Sequence, residues 1–119
     1  MSKDLPCAEE LFIEGNHHMS AGDVREAEAS FREAIRLAPD FAEAHANLGL
    51  LLDQEGMPSE AEHHYLHSIT LNPDLGNTHM NLGALLANQK RFEEAEAAYR
   101  RALELIPDSP AAEFFRLVR

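Results

Sequence analysis

Histidine is the residue whose type and spacing most suggest chemistry in this chain, which contains seven of them. His63 and His67 are four residues apart, so a helix would place both imidazoles on one face, as in many two-histidine metal sites. Glu60 is the nearest further ligand, one turn before His63. Two imidazoles and an exposed carboxylate do not complete a metal site. We therefore expect no metal and no other cofactor, with His63 and His67 as weak metal candidates and His64 on the polar surface.

Signatures of catalysis are missing from the sequence. It has no glycine-rich phosphate loop, no His-Glu-x-x-His segment and no Gly-x-Ser-x-Gly segment. Cys7 is the only cysteine, so no internal disulfide can form, and it is expected to be an ordinary small residue near the start of the chain. Paired carboxylates are plentiful, but their positions predict solvent-exposed helix faces. The sequence therefore predicts a protein that is not an enzyme.

The elements that would position these residues follow from an internal repeat of 34 residues. The tripeptide Asn-Leu-Gly at residues 47–49 returns at 81–83, and Pro-Asp recurs at 39–40, 73–74 and 107–108. Such a period indicates a solenoid of stacked units. The predicted organisation is a leader at residues 1–7, units at 8–41, 42–75 and 76–109, and a capping helix at 110–119, with residues 8–119 forming one structural domain.

Each unit has the pattern of two antiparallel helices joined by a short turn. Ala61, Tyr65 and Ser68 are spaced by four and three residues, which places them on one helical face, and their equivalents recur in the other units. Gly22 and Gly56 coincide at the expected turn, where the third unit has Lys90 and a turn that we expect to differ. Small residues in the first helices predict a close approach of the second helices: Gly15, Gly49 and Gly83.

This pattern resembles the tetratricopeptide repeat, which has Leu-Gly, Ala, an aromatic residue and Pro at the spacing of Leu48-Gly49, Ala61, Tyr65 and Pro73. The resemblance implies an all-α fold, a right-handed superhelical solenoid of three hairpins whose first helices line a concave groove.

Two departures from the family pattern concern packing positions. His45 and His79 stand where the family usually has a large apolar residue, and Glu14 replaces a leucine in the first unit. We expect both imidazoles to be partly buried between hairpins. A hypothesis follows that this pair titrates and loosens the stack below about pH 6.

The segment after the third unit is predicted to be a capping helix. Ser109 is suited to the N-cap and Pro110 to the first helical position. An apolar stripe would cover the third unit, with Arg116 and Arg119 left in water and Phe115 off the stripe. The stripe consists of Phe114, Leu117 and Val118.

Charge and hydropathy restrict the partners. With 21 acidic and 10 basic residues, the formal charge is −11, which disfavours nucleic acid and anionic membranes. No apolar run approaches the roughly 20 residues that a membrane helix needs, and the first residues do not resemble a secretory signal. The expected location is the cytoplasm and the expected partner is a protein or peptide.

The predicted concave face is rich in amides and slightly acidic, with no Lys or Arg. Asparagine can pair with both the N–H and the C=O of a peptide, so Asn47 and Asn81, one repeat apart, would form a short ladder along a bound backbone. Some members of the family instead hold terminal carboxylates with Lys and Arg, but Phe12, Asn77 and Asn81 stand at those places here. The predicted peptide-binding residues are Asn16, Glu43, Asn47, Leu50, Asp53, Gln54, Asn77, Met80, Asn81 and Asn88.

The sequence thus predicts a non-catalytic adaptor that binds an extended, neutral or basic peptide in its groove. The alternative is an assembly subunit that self-associates or docks through the ends of the solenoid, forming a homo-oligomer. Phe12 and Phe115 are the residues predicted to be exposed for that contact.

Overall fold

The computed structural model describes residues 5–117 and contains no strand within that range. Residues 1–4, Val118 and Arg119 lie outside this range, as do the side chains of Arg116 and Leu117. Of the apolar stripe and the solvent-exposed arginines predicted for the capping helix, only Phe114 therefore lies within the described part. The helices are α1 Ala8–Ala21, α2 Val24–Leu37, α3 Ala42–Gln54, α4 Pro58–Leu71, α5 Gly76–Asn88, α6 Phe92–Leu105 and α7 Ala111–Leu117.

The helices form three hairpins, α1 with α2, α3 with α4 and α5 with α6, and α7 packs against α6. Each hairpin packs mainly on the next one along the chain, as in a helical solenoid. The result is an elongated molecule of 60 × 25 × 22 Å.

One apolar core runs through all three hairpins. Phe31, Leu48 and Tyr65 are fully buried in it, and Leu85 and Ala98 extend it into the third hairpin. A single hairpin cannot bury both of its apolar faces, so the stacked neighbour supplies the missing cover.

Glycines in the first helices allow the close packing that the sequence predicts. A Cβ atom at Gly49 would lie 2.9 Å from the ring of Tyr65, and one at Gly83 equally close to the ring of Tyr99. These distances are shorter than van der Waals contact, so each aromatic ring occupies the space that a side chain would need.

The turn of the third hairpin is the same as the other two, contrary to the expectation from Lys90. Lys90 has φ 62°, in the left-handed region that Gly22 and Gly56 adopt with φ 83° and 80°. The Arg91 N–H donates to the Leu86 carbonyl at 2.9 Å, as the N–H of Met57 does to that of Leu52. These bonds satisfy the last carbonyls of each first helix, and they hold the turn even without glycine.

The two ends of the described chain differ from expectation. Cys7 is the N-cap of α1, and its backbone N–H donates to the Glu10 carboxylate at 2.9 Å. The N-cap role predicted for Ser109 is wrong, because its hydroxyl is buried without a hydrogen bond to any described residue and α7 begins at Ala111. Phe114 nevertheless covers the third hairpin, with its ring 4.5 Å from that of Tyr99.

Candidate binding groove

A cavity of about 330 Å³ lies where α1, α3 and α5 approach the end of α6. It brings together several predicted groove residues from different hairpins. Its lining consists of Phe12, Glu43, Ala46, Asn47, Asp74, Leu75, Gly76, Asn77, Thr78, Leu105 and Ile106.

Asn47 also joins two first helices through a hydrogen bond. Its side-chain amide donates to the Asn16 amide oxygen at 2.6 Å, with both residues half-buried. Asn47 keeps a second amide hydrogen and its own oxygen for another partner. The sequence placed Asn16 and Asn47 on the same face but did not predict this bond, which depends on the separation of the two helices.

The remaining predicted groove residues lie outside the cavity lining. Asn81, Leu50 and Met80 are half-buried, whereas Gln54 and Asn88 are exposed. The Asn81 side chain has no hydrogen bond to any other residue between 5 and 117, so its amide is available to a ligand.

Asp53 is half-buried beside Tyr65 at the far end of α3. Burial raises the pKa of the Asp53 carboxyl, and the Tyr65 hydroxyl lowers it in part. The same burial raises the pKa of Tyr65, with the Asp53 charge adding to the effect. The buried hydroxyl does not reach hydrogen-bond geometry with any described group, so we treat its interaction with Asp53 as electrostatic.

The cavity includes residues that sequence reasoning missed. Leu105 and Ile106 come from the end of α6 and meet the start of α5, where a Cβ atom at Gly76 would lie 2.7 Å from Ile106. Glycine at this position, where the other units have alanine, was the signal in the sequence for that close approach.

The charges on the cavity wall are negative. Glu43 and Asp74 are its ionisable residues, and no described Lys or Arg lines it. Arg101 lies close by, where its guanidinium meets the Asp74 carboxylate at 3.2 Å and so offsets part of that charge. Glu43 is the acid without a described ion pair, which makes it the residue best placed to receive a cation.

The two aromatic residues predicted for self-association are both half-buried. Phe12 packs against the rings of Phe41 and Phe31, with centroids 5.0 and 6.1 Å away. The Arg100 guanidinium lies 5.3 Å from the Phe115 ring and covers one of its faces. Phe115 is therefore less exposed than predicted, and self-association through these residues stays a prediction.

The histidines make ring contacts that the sequence did not predict. His45 is 4% exposed and stacks on His67, with ring centroids 4.2 Å apart. Its Nδ1 lies 3.3 Å from Nδ1 of His64, which is half-buried rather than on the surface as expected. His63 packs edge-on against both His64 and His67. His79 is 8% exposed, so His45 and His79 are both buried as predicted, but no described ring contact joins His79 to the other three imidazoles.

No group of three or more His, Cys, Asp or Glu side chains between residues 5 and 117 has the arrangement to hold a metal ion, so His63 and His67 lack further ligands there. No helix within the same range is long and apolar enough to span a bilayer.

Comparison with known proteins identifies the repeat. Two family models, both described as tetratricopeptide repeat, match residues 14–76 and residues 76–109. The comparison with curated proteins found no match.

Solved structures share the fold at low sequence identity. The first TPR of Spaghetti (RPAP3) bound to HSP90 peptide SRMEEVD has a TM-score of 0.88 at 23% identity, covering 93% of this chain and 89% of that chain. The Arabidopsis OM64 TPR domain has a TM-score of 0.85 at 21% identity, covering 91% and 89%. MamA has a TM-score of 0.78 at 25% identity, and the match covers 83% of this chain but 58% of MamA. With its period, its stacked hairpins and two matching family models, the chain belongs to the tetratricopeptide repeat family.

Proposed function

We propose that this protein is an interaction module that binds an extended, neutral or basic peptide in the groove formed by α1, α3 and α5. The observation that carries the proposal is the cavity between hairpins, which joins amide, aromatic and acidic side chains from different repeats without a described base. A peptide lying along the groove would contact all of these groups at once.

The lining residues suit different parts of such a ligand. The amides of Asn47 and Asn77 can pair with peptide N–H and C=O groups whatever the peptide sequence. Phe12, Leu105 and Ile106 provide an apolar wall for one ligand side chain. A Lys or Arg of the ligand can pair with Glu43, which is exposed at the cavity edge.

The peptide in the similar structure differs in charge from the ligand that we propose for this chain. Its peptide, SRMEEVD, ends in acidic residues and a carboxylate. At the places where a carboxylate clamp of this family carries Lys or Arg, the present chain has Phe12, Asn77 and Asn81. An acidic ligand would meet no clamp base there and would be repelled by Glu43, so we propose the opposite charge preference.

The test is a fluorescence-polarisation screen of unstructured peptides sorted by net charge, with SRMEEVD as the acidic reference. Neutral and basic peptides are expected to bind and SRMEEVD to fail. The Asn47→Ala/Asn81→Ala variant should weaken the best binder about tenfold or more, since each lost amide hydrogen bond contributes about 1 kcal/mol.

Thr70→Ala is the matched control, because the Thr70 hydroxyl is exposed on α4 and bonds only the Leu66 carbonyl of its own helix. It should leave the affinity unchanged. Preferred binding of SRMEEVD, or equal affinity of the double variant and the wild type, would refute the proposed groove.

A complementary variant, Phe12→Lys/Asn77→Lys/Asn81→Arg, tests the reason for the charge preference. It places three bases at the clamp positions, so it should gain binding to SRMEEVD and lose the basic peptides. Because carboxylate contacts with Lys and Arg are charge-assisted, the gain should disappear in high salt. A variant that folds but ignores SRMEEVD would show that the groove geometry, and not its charge, excludes such ligands.

A further inference from the structure

The cluster of His45, His63, His64 and His67 serves no part of the proposed peptide site. It lies between α3 and α4, within the second hairpin, where the rings of His64 and His67 pack on the buried ring of His45 and His63 packs edge-on against both of them. The equivalent positions in the third hairpin show what the cluster replaces. Ala98 stands in place of His64 and Ala97 in place of His63, and there the structure has an open apolar groove.

Hydrogen bonding assigns the protons of the central pair. The Pro39 carbonyl lies 3.0 Å from Nε2 of His45, and a carbonyl can only accept, so Nε2 carries the hydrogen. In the neutral ring Nδ1 is then the acceptor, and it receives the Nδ1–H of His64 at 3.3 Å. Protonation of His45 would place a second donor at this contact, so the contact could persist only if His64 changed tautomer, and it would break if His64 were charged too.

The groups around the cluster disfavour added positive charge. Burial is the main cause that lowers the pKa of His64 to about 4, and His45, His63 and Arg32 of α2 act in the same direction. Burial also lowers the pKa of His45, an effect that the Pro39 carbonyl opposes and that His67 and His63 reinforce. Glu60 of α4 is the acid that favours charge on His64, but its carboxylate is held by Arg32 at 2.9 Å, and Arg32 also binds Glu28.

We propose that these four histidines form a pH-sensitive joint between α3 and α4, which holds the second hairpin closed while the imidazoles are neutral and loosens it when they become charged. The stack of His45 on His67 places two ionisable rings 4.2 Å apart, so positive charge on His67 disfavours protonation of His45. The negative net charge of the chain favours protonation in general, but salt screens it beyond about 10 Å.

The direction of the effect follows from proton binding in the two states. An unfolded histidine titrates near pH 6.5, whereas burial holds the folded pKa values of His45 and His64 below that. Between about pH 6.5 and pH 4 the unfolded chain therefore binds more protons than the folded one. The contribution of the cluster to stability is complete above this window and is lost as the pH falls through it.

The repeat supplies an internal control in His79. Its Nε2 lies 2.8 Å from the Pro73 carbonyl, the same arrangement that His45 has with Pro39. One repeat after His64 and His67, the third hairpin has Ala98 and Arg101. These two residues line the open apolar groove beside His79, together with Glu62 and Glu94. His79 thus shares the burial and the backbone contact of His45 but lacks the imidazole neighbours.

The experiment compares thermal unfolding at pH 7.5 and pH 5.0, followed by circular dichroism, in the wild type, His45→Leu/His64→Ala and His79→Leu. Leucine and alanine are the residues that the other hairpins carry at these positions, Leu11 and Ala98. The quantity compared is the fall in Tm between the two pH values, so a change in stability at pH 7.5 does not affect the result.

The wild type and His79→Leu are expected to lose about 5 °C more than the cluster variant, as a loss of about 1 kcal/mol would produce in a domain of this size. Hydrogen exchange, corrected for the intrinsic effect of pH, should locate the extra opening in α3 and α4. An equal fall in all three proteins, or an effect removed by His79→Leu alone, would overturn the proposal. If His45→Leu/His64→Ala fails to fold, His64→Gln replaces it, since glutamine keeps a donor and cannot become charged.

Discussion

Asn47 and His45 lie two residues apart on α3 and face different parts of the molecule. Asn47 points into the groove and bonds Asn16 of α1, whereas His45 is buried against the rings of α4. This follows from the helical period, since positions two apart point in directions about 200° from each other. A change at one of them can therefore leave the other's contacts intact, which allows the groove and the histidine cluster to be tested separately.

Gly49 shows how closely the hairpin is packed at the residue scale. Gly49→Ala would force a methyl group to 2.9 Å from the Tyr65 ring and 3.2 Å from the Ala61 carbonyl oxygen. Overpacking of this kind costs about 1–3 kcal/mol, and the better helix propensity of alanine returns about 1 kcal/mol. We expect a net loss of up to about 2 kcal/mol in urea unfolding.

Ala29→Gly measures the propensity effect by itself, because Ala29 is exposed on α2. It should cost about 1 kcal/mol with no packing component. A Gly49→Ala protein that is more stable than the wild type would show that Tyr65 can move aside and that the close approach is not required.

Residue pattern alone predicted several of the buried positions, but not which side chains meet. Repeat register predicted that His45 is buried and that Gly49 is a contact point. The stacking of His45 on His67 and the bond between Asn16 and Asn47 depend on helix separation and side-chain rotamers. Helix separation and rotamers produce no repeating pattern in the sequence. The sequence analysis therefore expected His64 on the surface.

At the scale of the element, the turn between α5 and α6 has a lysine in a backbone conformation that favours glycine. Lys90 has φ 62° and is exposed, without a described contact that would require lysine. A residue with a Cβ atom in the left-handed region destabilises the fold by about 1–2 kcal/mol. Glycine avoids this strain but loses more backbone entropy on folding, which cancels part of the gain. We expect Lys90→Gly to stabilise the protein by about 0.5–1 kcal/mol in thermal unfolding.

The reverse change, Gly56→Lys, should destabilise the second hairpin by a similar amount, since Gly56 has φ 80° in the equivalent turn. A loss of stability in Lys90→Gly would mean that the lysine side chain contributes more than its backbone strain removes. The sequence predicted that a turn exists here, but the absence of glycine wrongly suggested a different turn. Backbone hydrogen bonds at its ends impose the left-handed residue instead.

Successive second helices are also joined by ion pairs that the sequence did not reveal. Arg32 of α2 binds Glu60 of α4, and Arg91, just before α6, binds Glu62 of α4 through both carboxylate oxygens. The acids were predicted as solvated faces near helix starts. Their partners are 28 and 29 residues away, close to one repeat, so they meet only after the hairpins stack.

At the scale of the whole molecule, stability is distributed along a line rather than around a centre. Contacts join each hairpin to its neighbour, and α1 has none of note with α5 or α6 among the described residues. The period and its packing positions predicted the stacked hairpins, because every repeat of a solenoid forms the same local structure. The ends were less predictable, since terminal elements such as α7 depart from the repeat.

Phe114 packs α7 onto the last hairpin, and it gives a test of this linear architecture. Phe114→Ala removes a half-buried ring that packs 4.5 Å from Tyr99, with an expected cost of about 2 kcal/mol. In a chain of nearest-neighbour contacts the loss should fall on α5 and α6 and fade towards α1 and α2. Hydrogen exchange followed by mass spectrometry resolves the helices separately, and Ala112→Gly, an exposed site on the same short helix, controls for fraying of α7 itself. Uniform acceleration over all helices would instead mean that the three hairpins unfold as a single cooperative unit, and then loosening of the second hairpin at low pH would open the groove along its whole length.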